Sequence, residues 1–122
     1  MLRIVDSITE LQPADAGCIA VSGSHGGLSS ARYALAARPL LSVFNDAGGG
    51  KDGAGFAALD LLAREGLAAC TVAHHSARIG QADSTWQDGV VSHANTQAVA
   101  LGIRPGERLR RALDALDSGR NG

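Results

Sequence analysis

Three short apolar runs organise the chain: Cys18-Ile19-Ala20-Val21, Leu40-Leu41-Ser42-Val43-Phe44 and Leu67-Ala68-Ala69-Cys70-Thr71-Val72-Ala73. Each is continuous rather than alternating and partly β-branched, the pattern of strands buried on both faces. Between them the spacing turns helical. Leu28 to Arg38 places Leu28, Ala31, Leu35 and Ala36 on one side, and Pro39 stops it. Asp52 to Glu65 places Phe56, Leu59, Leu62 and Ala63 on one side, with Asp52 as N-cap and Gly66 just past the end. Asp83 is placed to cap a short turn containing Trp86. A further helix is predicted from about Ser92 to Leu101, ending at Gly102. Pro105 then suits the first position of a last helix over Gly106 to Leu116, with Leu109, Ala112, Leu113 and Leu116 in one stripe.

Strand and helix alternating in this way predict βαβ units on a parallel sheet. The expected fold is a single α/β domain over residues 1–122: a small three-layer, Rossmann-like arrangement around a three- or four-stranded, mainly parallel sheet. Leu2 to Val5 is placed to add an edge strand within an N-terminal segment over residues 1–16, and residues 117–122 read as a flexible polar tail. A sheet this small leaves one face or edge thinly covered, so a homo-oligomer is expected.

Composition sharpens this picture in three places. Aromatic residues are 3% of the chain, so the core must be built from Ala, Val, Leu and Ile. Glycine, at 16 of 122 residues, is about twice average usage and needs a local reason. The formal net charge of −1 gives no electrostatic case for nucleic acid or an anionic membrane, and the basic run Arg104, Arg108, Arg110 and Arg111 reads as a solvated helix face. No apolar stretch approaches the roughly 20 residues of a membrane span. Cys18 and Cys70 sit inside apolar runs as buried thiols, and no secretory leader is recognisable, so a cytoplasmic protein is expected.

The glycines supply the argument for a site. In open parallel sheets ligands bind beyond the carboxyl ends of the strands. The three segments there are Ser22-Gly23-Ser24-His25-Gly26-Gly27, Asn45 to Gly55 and His74-His75-Ser76-Ala77-Arg78-Ile79-Gly80. The first two hold eight of the 16 glycines, and the three segments together hold three of the four histidines and the only lysine, Lys51. Glycines between a strand and a helix let backbone N–H groups approach an anion closely. The familiar nucleotide motifs are absent. Gly23, Gly26 and Gly27 have the wrong spacing for Gly-x-Gly-x-x-Gly. A phosphate loop ending at Gly50-Lys51 would need glycine where Asn45 stands and Ser or Thr where Asp52 stands. The elbow Gly-x-Ser-x-Gly around Ser22 or Ser24 is missing too.

Side-chain chemistry on a flexible frame is the reading that remains. Asp46, Lys51, His74 and His75 are the candidate acid–base groups, and alternation along an extended segment lets only one of the two histidines face a pocket directly. Ser22, Gly23, Ser24, His25, Gly26, Gly27, Asn45, Gly48, Gly49, Ser76 and Arg78 are the candidate ligand-holding residues, with Arg78 suited to clamp a carboxylate. No cofactor is expected. A divalent metal on His25, Asp46 and one of His74 and His75 is the lesser alternative, because no close-spaced His-x-x-x-His pair accompanies them.

The succession GSHGG, NDAGGGKDGAG, HHSARIG and GVVSHAN, over about residues 17–103, resembles a group of small bacterial α/β proteins of unassigned function. That resemblance implies no mechanism. His25-Gly26-Gly27 after a strand is also similar to the His-Gly-Gly turn of creatininase-like amidohydrolases. The other metal-ligand segments of those enzymes are missing, so their residue roles do not transfer.

The expectation is therefore a small cytoplasmic enzyme without a nucleotide cofactor, of hydrolase or lyase/isomerase type, acting on a small polar, carboxylated metabolite. The alternatives are a non-catalytic module that binds a small anion and an accessory subunit of a larger enzyme. Neither nucleic acid nor membrane is expected as a partner.

Overall fold

A computed structural model describes the backbone of residues 2–49 and 51–121, and the side chains of these residues except 51, 52, 54 and 117–121. The chain forms an α/β sandwich around one five-stranded sheet: β1 (Leu2–Val5), β2 (Ile19–His25), β3 (Leu41–Asn45), β4 (Ala68–Val72) and β5 (Val91–Ala94). The first four strands are parallel and lie in sequence order, and β5 joins antiparallel to β4. β3 and β4 are buried at every position, as their continuous hydrophobicity requires.

The sheet carries a core on each face. On one face α1 (Leu28–Ala37) and α2 (Ala57–Arg64) lay Ala31, Ala34, Ala58, Leu59 and Leu62 against Ala20, Phe44 and Ala69. Ile8, from a 3-10 turn over Ile8–Glu10, completes this layer. On the other face α3 (Ala82–Asp88), α4 (Thr96–Ala100) and α5 (Leu109–Asn121) contribute Trp86, Ala98, Leu109, Ala112 and Leu113, packed against Val21, Val43, Cys70 and Val72. α1 contributes small side chains to this layer, Ala31 and Ala34, while Phe44 and Leu62 supply its bulk. Both cysteines are free and buried. Burial pushes the Cys70 thiol up to about 12 and is the main cause raising that of Cys18, which keeps both protonated.

The sheet has five strands, one more than the largest number expected. β5 occupies sequence whose pattern predicts the start of a helix at Ser92. The helix there is only α4, opened by Asn95, whose side chain accepts the Ala98 N–H. Four residues are too few for a periodicity to declare itself, and β5 exists because β4 offers it an edge. α2 begins at Ala57, preceded by a 3-10 stretch over Lys51–Phe56, rather than at Asp52. α5 begins at Leu109, not at Gly106, and its backbone runs to Asn121, past the end of the apolar stripe. Segment 106–108 instead bridges to β5: the Gly106 N–H donates to the Val91 carbonyl at 2.8 Å, and the Val91 N–H to the Glu107 carbonyl at 2.8 Å.

The connections leaving β3 and β4 matter most for a site. β3 exits through the glycine-rich loop to α2 on one face, whereas β4 exits through residues 73–81 to α3 on the other. Adjacent parallel strands whose chains leave to opposite faces open a crevice between them at their carboxyl ends. Sequential strand order alone would not have produced it.

Candidate functional site

That crevice is a cleft of about 310 Å3, lined by Asn45, Ala47, His74, Ala77, Arg78 and Ile79. Asn45 ends β3, and the other five come from the two diverging loops. Its polar centre is built from the end of β3. Asn45 is wholly buried; its amide donates to the Ala77 carbonyl at 3.0 Å and its oxygen accepts the Ala47 N–H at 2.8 Å. It thereby ties the two loops together. The turn it caps puts Ala47 at φ 53°, a left-handed backbone that an alanine adopts only under constraint.

Asp46 is the electrostatic focus. Its Oδ1 accepts the Gly48 N–H at 2.8 Å and the His74 N–H at 3.0 Å, and lies 3.5 Å from His74 Nδ1. Burial raises the carboxyl's pKa. The Gly48 N–H, the Ser92 hydroxyl, the His74 N–H and the His74 ring together outweigh it and hold the group below its ordinary value. Asp46 is therefore a carboxylate throughout the neutral range. Its side chain is 8% exposed, whereas that of His74 is 60% exposed. The pair thus joins a buried anion to an imidazole that reaches water.

The glycines serve this arrangement in a way the sequence did not suggest. Gly48, at φ 76°, lies under the His74 ring, and a Cβ there would stand 3.4 Å from the ring carbon Cε1. Gly26 and Gly55 interlock: a Cβ on Gly26 would strike the Gly55 carbonyl, and one on Gly55 the Asp46 carbonyl. The Gly26 N–H donates to the Asn45 carbonyl at 3.0 Å, and the Gly23 N–H to the Asp6 carbonyl at 3.1 Å. These donors join loops to one another.

The expected site residues therefore separate. Asn45, His74 and Arg78 line the cleft, with Asp46 bonded to His74 beside it. Of the two histidines, His74 contacts Asp46, and His75 stacks on His74 with ring centroids 5.4 Å apart. Ser22 is buried and donates to the Val43 carbonyl at 2.6 Å. Ser24 accepts the Ile8 N–H at 2.9 Å. Ser76 donates to the Ala73 carbonyl at 2.7 Å and accepts the Val90 N–H at 3.0 Å. His25 is exposed at the end of β2, opposite Asn45, and Gly27 precedes α1 as its N-cap. Gly49 faces the Phe56 ring. The Lys51 side chain lies outside the described residues. His93, on β5, packs on Phe56 with ring centroids 4.0 Å apart. Among the described residues no three His, Cys, Asp or Glu side chains converge as metal ligands, and no helix is long and apolar enough to cross a membrane.

Sequence reasoning passed over Ala47, Ala77 and Ile79, because single apolar residues in polar loops carry no signal of their own. Comparison with protein-family models, curated proteins and solved structures finds no significant match to this chain.

Proposed function

We propose that the protein is a cytoplasmic acid–base enzyme acting on a small carboxylated metabolite, with His74 as the proton-transfer group. The observation that carries this reading is the contact between buried Asp46 and exposed His74. An ionised carboxylate 3.5 Å from Nδ1 favours the tautomer with its proton there, leaves Nε2 to take or give a proton, and stabilises the imidazolium formed in between. Arg78, in the same cleft, suits the substrate carboxylate. In this reading His75 buttresses His74, and Lys51 has an electrostatic role.

The test is turnover by variants of a substrate found by screening amides, lactams and hydroxy or keto acids. His74→Ala should lower kcat by about 10²- to 10⁴-fold with the melting temperature unchanged, and Asp46→Asn should lower it as well. Unchanged turnover in His74→Ala would overturn the reading. A second reading, a sensor that binds a small anion without turnover, draws on the openness of the site: with His74 60% exposed, the cleft does little to exclude water. Ligand-induced thermal stabilisation without any product would favour it. Self-association through β1 accompanies either reading, since Leu2 and Ile4 are exposed on this edge strand. A solution mass of one chain at micromolar concentration would count against that.

A further inference from the structure

We propose that the cleft selects monocarboxylates bearing a short, unbranched aliphatic arm, with Arg78 holding the carboxylate and Ile79 and Ala47 bearing the arm. The proposal rests on the cleft assigned above as the acid–base site and names the chemistry of its ligand.

The lining divides into two unlike halves. Arg78 and His74 are its ionisable members; Ala47, Ala77 and Ile79 form an aliphatic remainder. Ile79 is 53% exposed, directly follows Arg78, and lies in a concavity with it. A lone exposed isoleucine on a convex surface needs no explanation. One set beside a guanidinium in a cleft offers an anion and an apolar group adjacent seats. Asn45, the other polar lining residue, has its amide oxygen on Ala47 and its amide nitrogen on Ala77. A ligand rich in hydroxyls therefore finds few partners here. A second negative charge on the ligand would find no second cation among the described residues beside the aliphatic wall and would be repelled by the Asp46 carboxylate close by. The cleft's 310 Å3 is at the small end of small-molecule sites, which limits the arm to a few carbons.

An NMR titration of the intact protein with acetate, butyrate, hexanoate, hexanol and adipate tests this, read at the backbone amides of His74 and Ile79. Affinity should rise about two- to fourfold per methylene from acetate to hexanoate. Hexanol and adipate should bind about tenfold more weakly than hexanoate. Ile79→Ser should abolish the dependence on chain length while leaving acetate binding in place. Arg78→Gln should abolish the preference for hexanoate over hexanol. Both positions are exposed, so both variants should fold, which their amide spectra verify. Equal affinity for acetate and hexanoate, an unchanged chain-length dependence in Ile79→Ser, or no shift at these amides with any of the acids would overturn the proposal. The outcome separates from that of the acid–base reading. If the series binds as expected but His74→Ala leaves turnover intact, the acid–base reading falls and the selectivity stands. If His74 proves essential for turnover of a dicarboxylate or a sugar phosphate, the selectivity falls and the acid–base reading stands.

Discussion

The two ends of the sheet each carry a buried asparagine, and the two are used differently. At the amino ends of the parallel strands, Asn95 makes four hydrogen bonds. Its oxygen accepts the Ala69 and Ala98 N–H groups, at 3.1 and 3.0 Å, and its amide donates to the Leu59 and Leu67 carbonyls, at 3.1 and 3.0 Å. Every partner is backbone, and the hydrogen-bonding capacity of the side chain is filled. At the carboxyl ends, Asn45 joins the two diverging loops, and the next residue, Asp46, directs its carboxylate at an imidazole that reaches solvent. Gly17, Gly66 and Gly102 have positive φ with nothing within 4 Å of a Cβ, so they serve turn geometry alone, whereas Gly26 and Gly55 are needed because backbone presses on them. One end is closed chemically and locks the fold; the other keeps ionisable valence facing water, which a reaction or a ligand requires.

The largest expected effect tests the locked end. Asn95→Ala strands backbone groups at Leu59, Leu67, Ala69 and Ala98 and should cost about 3–5 kcal/mol in urea unfolding. If the loss is under 1 kcal/mol, the distinction between the two ends is misdrawn. Gly26→Ala comes next, at about 2–3 kcal/mol, because the new methyl meets the Gly55 carbonyl, which cannot swing aside as a side chain would. The Gly66→Ala control meets nothing and should cost only its positive φ, about 1 kcal/mol.

A matched pair sharpens the comparison further. Arg38 and Ala47 are the two non-glycine residues with positive φ, at 54° and 53°, among the described residues. Arg38 ends α1 at the amino-end rim, and Ala47 lines the cleft. Glycine at either position should raise stability by about 0.5 kcal/mol, strain relief being partly offset by the freer unfolded chain. Only Ala47→Gly should also change ligand response in a thermal-shift assay. The smallest effect is acid sensitivity. Asp46 titrates below its ordinary value of 3.8 in the folded protein. The stability it contributes is therefore fully present above about pH 4 and is lost as pH falls through the depressed folded value. Asp46→Asn should flatten that acid limb in pH-dependent unfolding; an unchanged limb would show that the carboxylate is not held as described.

Much of this could be read in the residues. The runs ending at Val21, Phe44 and Ala73 declared buried strands because continuous hydrophobicity suits only a strand covered on both faces, and the stripe Leu109, Ala112, Leu113 declared the face of α5. β5 escaped because Val91 to Ala94 carries too few residues for its alternation to stand out, and because Asn95-Thr96 resembles the interior of a helix as readily as its start. At the site, Asp46, His74 and Arg78 were visible as chemistry-bearing types beyond strand ends. The division of labour was not visible: Ser22 and Ser76 look as reactive in sequence as any serine, but their hydroxyls are taken up by the Val43 and Ala73 carbonyls.

By itself, then, the sequence determined an α/β sheet, its three central strands and the polar loops that follow them, because hydrophobic periodicity and glycine placement are local properties. Only the tertiary structure decided that the exits of β3 and β4 part to opposite faces and that His74, rather than His75, meets Asp46. It likewise decided that Gly48 makes room for the His74 ring and Gly55 for the Asp46 carbonyl. These depend on contacts between residues far apart in the chain, where packing and hydrogen-bond geometry choose among arrangements that local sequence leaves equally open.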